Sequence, residues 1–347
     1  MTWRSVRRFV AWFVIVALVM PACASRNVPP IGAGGQAFTP EAEERSLWAK
    51  AEKEEEAILK RAKVYDDQLL NEYLAKVGDR LIPESAKAAG GPGFKFGVIK
   101  DPTLNAFAMP NGSMYIHTGL LSRLDNEAQL ATILAHEATH VTHRHSLRFM
   151  RDARNKQILY RVLGIAASIG VAAAAGSQAR SGDYVGAAIL SQTANAVLGL
   201  GLQLAAIASI NGYGRDLERE ADAEGMDQLV KAGYDPSEAP RVFQLLQSES
   251  KDRGSLETFF FGSHPKLQER IDTTQELIQT KYALEAAAPD RVKNTEEFDL
   301  RMRTVVRENA ALDIRAGRFT LAEDQLGRVL AITPRDPIAH LYYGDVY

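Results

Sequence analysis

Apolar residues recur at helical spacing from Leu47 through Ala51, Ile58, Leu59, Ala62, Tyr65, Leu69, Leu70, Tyr73, Leu74 and Val77, and the pattern stops at Gly78. That spacing predicts a helical region across the whole stretch. Thr39-Pro40-Glu41 reads as its start: a capping hydroxyl, a first-turn proline and an acid at the positive end of the dipole. The acidic run 52–56 falls on the solvated face, with Glu56 and Lys60 paired at i, i+4. From Phe94 the period shortens. Residues 94–99 read as a strand and Asp101-Pro102 as a break. Two more strands, Asn105-Ala106-Phe107-Ala108-Met109 and residues 113–117, flank the turn signal Asn111-Gly112. Pro110 has no N–H for a central ladder, which places this hairpin at a sheet edge. Helical patterns return over about 126–154 and about 215–232, separated by an Ala/Gly-rich stretch. In the tail, Gly317, Phe319, Ala322, Leu326, Val329, Leu330 and Pro334 match the small-and-large pattern of a tetratricopeptide repeat. The predicted fold class is α+β and mainly helical: a main domain with a small edge-exposed sheet, then a helical tetratricopeptide-type tail.

Composition changes this picture only at the N-terminus. The net charge of −2 gives no electrostatic reason to expect nucleic acid as a partner. Arg4, Arg7 and Arg8 precede an apolar run over 9–20, too short to span a membrane but suited to an export signal. Cys23 follows, the only cysteine, so no internal disulfide is available. The segment resembles a bacterial lipoprotein signal, which implies an exported, periplasmic protein anchored in the outer membrane through a lipid on Cys23. The expected organisation is a signal over 1–23, a linker over 24–38, a main domain over 39–285 and a repeat segment over 297–347. Polar residues interrupt the Ala/Gly-rich stretch 163–210 before 20 apolar residues accumulate. It reads as a helical hairpin or lid beside the cleft.

The chemistry concentrates in His136-Glu137-Ala138-Thr139-His140. On a helix, positions i and i+4 share one face a single turn apart, so both imidazoles can reach one zinc ion. Glu137 beside them is suited to act as general base toward the attacking water. A third ligand comes from a second helix, where Glu218 and Asp222 again stand i, i+4. Glu218 is the expected ligand and Asp222 the carboxylate that accepts the free N–H of a ligand histidine; Glu220 is the alternative ligand. His143 is seven residues along, too far for the same ion. His145 falls half a turn round and reads as structural. Tyr213, Arg215 and His264 are candidates for stabilising the transition-state oxyanion.

Asn105-Ala106-Phe107, the segment 136–145, Glu218-x-x-x-Asp222 and Ser263-His264-Pro265 resemble the gluzincin family of CAAX-prenyl endopeptidases and bacterial heat-shock membrane peptidases. The similarity is greatest to its secreted branch, that of the periplasmic beta-barrel assembly-enhancing proteases. The resemblance implies one Zn2+ per chain held by His136, His140 and Glu218, with Glu137 catalytic. It also implies that Asn105 to Met109 align an extended substrate, and that His264 can act as a fourth ligand that silences the site. The expected partners are unfolded or misassembled proteins, the membrane through Cys23, and outer-membrane assembly machinery through the tail. A chaperone or assembly scaffold with a silent zinc site is the alternative function.

Overall fold

The computed structural model describes residues 28–35, 37–87, 90–155, 213–252 and 267–347. The expected export signal, Cys23, the stretch 163–210 and His264 lie outside the described residues.

The helical region expected across 47–78 is two helices. α1 (Ala42–Arg61) ends where Ala62 turns extended, and Val64 pairs with Ile99 in an antiparallel bridge. α2 (Gln68–Leu81) restarts with the Asp67 carboxylate accepting from Leu70 N at 3.0 Å. A backbone bridge and a cap thus override an apolar spacing that ran on unbroken. The start of α1 also departs from expectation. Its N-cap is Glu41, whose side chain makes no cap bond and instead pairs with Arg144 and Arg151. Part of the expected linker 24–38 is packed: Val28 and Ile31 are buried, and Ile31 N donates to Thr142 O at 2.8 Å.

β1 (Lys95–Ile99), β2 (Ala106–Ala108) and β3 (Ser113–His117) form one sheet in the order β1-β3-β2. β1 runs parallel to β3, and β2 antiparallel to it with Phe107 opposite Tyr115. β2 is therefore an edge strand. Its hairpin loop holds three residues, Pro110 to Gly112, between the bonded pair Met109 and Ser113, and Gly112 takes φ +92°. Only glycine adopts that conformation without strain.

After the short α3 (Thr118–Leu121) comes α4 (Glu127–Thr142), every residue of which is buried. It passes between α2, β2, α5 (Arg215–Lys231) and α6 (Glu238–Asp252). The pattern had predicted one helix to about residue 154. Instead the chain breaks at His143 and Arg144, where Arg144 has φ 55°, and turns helical again over 145–155. Arg144 is held in this uncommon conformation by Glu44 at 2.7 and 2.8 Å and by the Phe38 ring.

α7 (Leu267–Thr280) and α8 (Ala283–Ala287) lead to the C-terminal helices α9 (Glu296–Arg315), α10 (Phe319–Ile332) and α11 (Pro337–Asp345). These are no appendage. Phe298, Met302, Val305, Leu326 and Val329 share one apolar core with Leu74 of α2 and Leu130 of α4. A buried polar seam joins them as well: Thr118 donates to Asn309, Arg123 pairs with Asp313, and Arg328 donates to the carbonyls of Ser122 and Leu124. The first-turn N–H groups of α4, which no intrahelical carbonyl can satisfy, are bonded from the same region. Glu127 N donates to Asn294 Oδ1 and Ala128 N to Lys293 O. Among the described residues no helix is long and apolar enough to cross a membrane.

Candidate active site

The two helices that carry the expected site residues touch backbone to backbone. A Cβ on Gly225 of α5 would stand 3.2 Å from His136 N and 3.3 Å from Ala135 C. A residue without a side chain there lets α5 lie against the middle of α4, and the acids one and two turns earlier face the histidines.

His136 Nε2 and His140 Nε2 are 3.0 Å apart, and the Glu218 carboxylate approaches them at 3.4 and 3.6 Å. All three side chains are buried, and their ligand atoms lie within 4.8 Å of one another. Donor atoms tetrahedrally arranged at about 2.0–2.1 Å from zinc would be separated by roughly 3.3 Å. The observed separations bracket that value. Buried lone pairs aimed at one another repel unless a cation lies between them, so the residues present fit a divalent metal ion.

The second carboxylate is where the i, i+4 spacing put it. Asp222 Oδ1 stands 2.9 Å from His136 Nδ1, which leaves Nε2 as the face turned to Glu218. Asp222 is itself gripped by Arg270, with Nη2 at 2.6 Å and Nε at 2.9 and 3.2 Å. The guanidinium stacks over the Phe243 ring at 4.1 Å. Burial disfavours the Asp222 anion, but Arg270 and His136 outweigh it and hold the carboxyl below its usual range. At His136, burial and the Arg270 cation oppose a positive charge. The hydrogen bonds to Asp222 and Glu218 prevail and the imidazole is pushed up to about 9. The negative field that draws a proton to that ring would equally draw a metal.

His140 packs against two rings that also touch each other. Tyr213 stacks on it with centroids 4.3 Å apart, and the Tyr213 hydroxyl shares a 2.6 Å hydrogen bond with Ser146. Tyr213 is thus a packing partner of the ring. Arg215 stands 3.9 Å from Glu269. At the edge of the His140 ring, His145 brings its Nδ1 to 2.8 Å from His140 Nδ1. Placing His145 on the far side of the helix is therefore wrong, because the helix ends before it. Burial pushes His145 down to about 4, so it is neutral. Glu220, the alternative ligand, is not at the His136 centre. It pairs with His143 Nδ1 at 2.8 Å and Arg148 at 2.7 Å. A cavity of about 240 Å³ lined by Tyr213, Arg215, Glu218, Arg219, Arg270 and Thr273 opens onto Glu218. β2 flanks the other side, with Ala108 packed in one cluster with Ala138 and Val141 of α4.

Arg270 is the site residue that sequence reasoning missed. Its signal was a lone cation at helical spacing with Leu267, Ile271 and Thr274 of α7, all buried. A charge at such a position requires a buried partner.

The profile of Peptidase family M48 matches residues 68–278, more than half of the chain. The chain belongs to peptidase family M48. The match spans α2 through most of α7, and so includes every residue of the site described above. Among curated proteins, the chain is 33% identical over 214 residues to a putative beta-barrel assembly-enhancing protease of Vibrio cholerae, covering 61% of this chain and 40% of that one. It is 35% identical over 188 residues to the beta-barrel assembly-enhancing protease of Yersinia pestis, covering 53% and 34%. It is also 30% identical over 208 residues to metalloprotease YcaL of Escherichia coli, covering 59% and 71%. The chain thus spans well under half the length of the assembly-enhancing relatives it matches. Family membership and the His-His-Glu group together fit a metallopeptidase site of the M48 type.

Proposed function

We propose that this M48 chain is a zinc-dependent endopeptidase that hydrolyses peptide bonds of unfolded or misassembled proteins in a bacterial cell envelope. The observation that carries this reading is the convergence of two imidazole Nε2 atoms and the Glu218 carboxylate at one buried point. In it His136, His140 and Glu218 hold one zinc ion, and Asp222 fixes the His136 tautomer through Nδ1. When bound, zinc supplies a Lewis acid that polarises the scissile carbonyl and makes water acidic. Glu137, buried on α4 between the two ligands, accepts the proton of the attacking water on its carboxylate and delivers it to the leaving amide nitrogen. Arg270 keeps Asp222 ionised throughout.

β2 supports the preference for unfolded chains. An edge strand offers backbone groups that pair with any extended peptide, whatever its sequence, and Asn105 to Met109 run beside the helix that carries Glu137. Export, lipidation at Cys23, and gating by His264 as a fourth ligand belong to the same reading. So does the assignment of α9 to α11 as tetratricopeptide-type helices, whose exposed Phe319, Ile338 and Leu341 offer an apolar face to assembly machinery.

The test is purified protein against casein as an unfolded substrate. Glu137→Gln should keep its zinc and lose about 10²–10⁴-fold in rate, and His140→Ala should lose the zinc. Cleavage by Glu137→Gln at the wild-type rate would overturn the assignment.

A further inference from the structure

α4 ends at Thr142, and the chain then reverses through Arg144 at φ 55°. On an unbroken helix, residue 145 would stand about 140° round the axis from His140. The reversal instead lays the His145 ring against it, Nδ1 to Nδ1 at 2.8 Å with ring planes at 75°. Two imidazole nitrogens at that distance share one hydrogen, so one ring donates and the other accepts. His140 turns its Nε2 to His136 and Glu218. A ring that binds metal through Nε2 carries its hydrogen on Nδ1, so His140 is the donor and His145 Nδ1 the acceptor. The hydrogen of neutral His145 is then on Nε2, facing Glu220 Oε1 at 3.6 Å. Glu220 is fixed in turn by Arg148 at 2.7 Å and His143 at 2.8 Å.

We propose that His145, backed by Glu220, is the positioning residue of His140, setting its tautomer and ring orientation as Asp222 does for His136. This rests on the reading of His140 as a metal ligand. It also decides the fate of a second cluster. His143, His145 and Glu220 bring ligand atoms within 4.8 Å of one another. For His145 to bind metal there through Nε2, its hydrogen would have to move to Nδ1 and point at His140. That would force the His140 hydrogen onto Nε2 and remove a ligand from the first centre. The two centres exclude one another, so of these two clusters among the described residues only one holds an ion.

The experiment measures zinc affinity and stoichiometry of the purified chain by competition with a chromophoric chelator, with circular dichroism as the folding check. His145→Leu should bind zinc about 10–100-fold more weakly. His145→Asn should recover most of that loss, since an amide oxygen can accept at the position of Nδ1. Glu220→Gln, on the half-exposed side, should give a smaller loss and remains readable if the leucine variant does not fold. Two results would overturn the assignment: affinity unchanged in both His145→Leu and Glu220→Gln, or asparagine no better than leucine. Two zinc ions per wild-type chain, one of them lost in His145→Leu, would overturn it in favour of a second centre. Wild-type protein that takes up no zinc would sink the metal centre itself along with this role.

Discussion

Arg270 shows what a buried charge asks of its surroundings. Its guanidinium lies over Phe243 and pairs with Asp222, and both side chains are buried. Removing one partner strands the other, and Arg270→Met should lower stability by about 3–5 kcal/mol in urea unfolding. Replacing both, as Asp222→Leu with Arg270→Met, should restore much of the stability but none of the zinc affinity, because His136 then lacks its Nδ1 partner. A double variant that binds zinc as tightly as wild type would show that Asp222 serves packing alone. Glu55 makes a related point at the surface of the sheet. Burial opposes its charge, yet hydrogen bonds from Tyr115 and Asn111 prevail and hold its carboxyl below the ordinary 4.5. A depressed folded-state value stabilises the protein above about pH 4.5, and this contribution fades as pH falls toward the folded value. Glu55→Gln should therefore flatten the fall of melting temperature below about pH 4.5, and an unchanged slope would refute the assignment.

At the scale of elements, the crossing of α4 and α5 sets the geometry of the site. Gly225→Val would press a branched side chain on the α4 backbone at His136. The expected outcome is a loss of about 1–3 kcal/mol together with weakened zinc binding, read from melting curves and chelator competition. Stability lost with zinc affinity intact would show that the crossing does not hold Glu218 in place. The periodicity of the sequence made the two helices legible, and the i, i+4 pairs His136/His140 and Glu218/Asp222 face the same buried point because each pair falls within one regular helix. Legibility ended where helical geometry ended. His145 was misplaced because 100° per residue was carried past Thr142, into a turn made by contacts of Arg144 with Glu44 and Phe38. The break at 62–67 was hidden for a like reason: Val64 pairs with Ile99, a strand 35 positions away, and no local pattern announces such a bridge. Glu55 looked like one more solvated acid because its partners come from a hairpin about 60 residues on.

Over the whole molecule, the tail is part of the core. Phe298, Met302, Val305 and Val306 are buried against the catalytic helices. At about 1.5–3 kcal/mol for each such side chain, they match the entire stability of an ordinary domain, about 5–15 kcal/mol. A chain ending at residue 295 should aggregate or melt far below the intact protein in a thermal shift assay. Equal melting temperatures would show that the tail only decorates the surface. For that reason any role of the tail in holding client proteins is better probed by Phe319→Ser with Leu341→Ser than by deletion. The helix bearing His136 is clasped at both ends by distant parts of the chain. Residues 28–44 close on its last turn through Ile31 and Arg144, and residues 293–295 bind its first. A protease assembled in this order has a built-in delay. During synthesis from the N-terminus, nearly three hundred amino acids must emerge before the clasp can shut, so a half-made copy has no finished blade with which to cut itself or its neighbours.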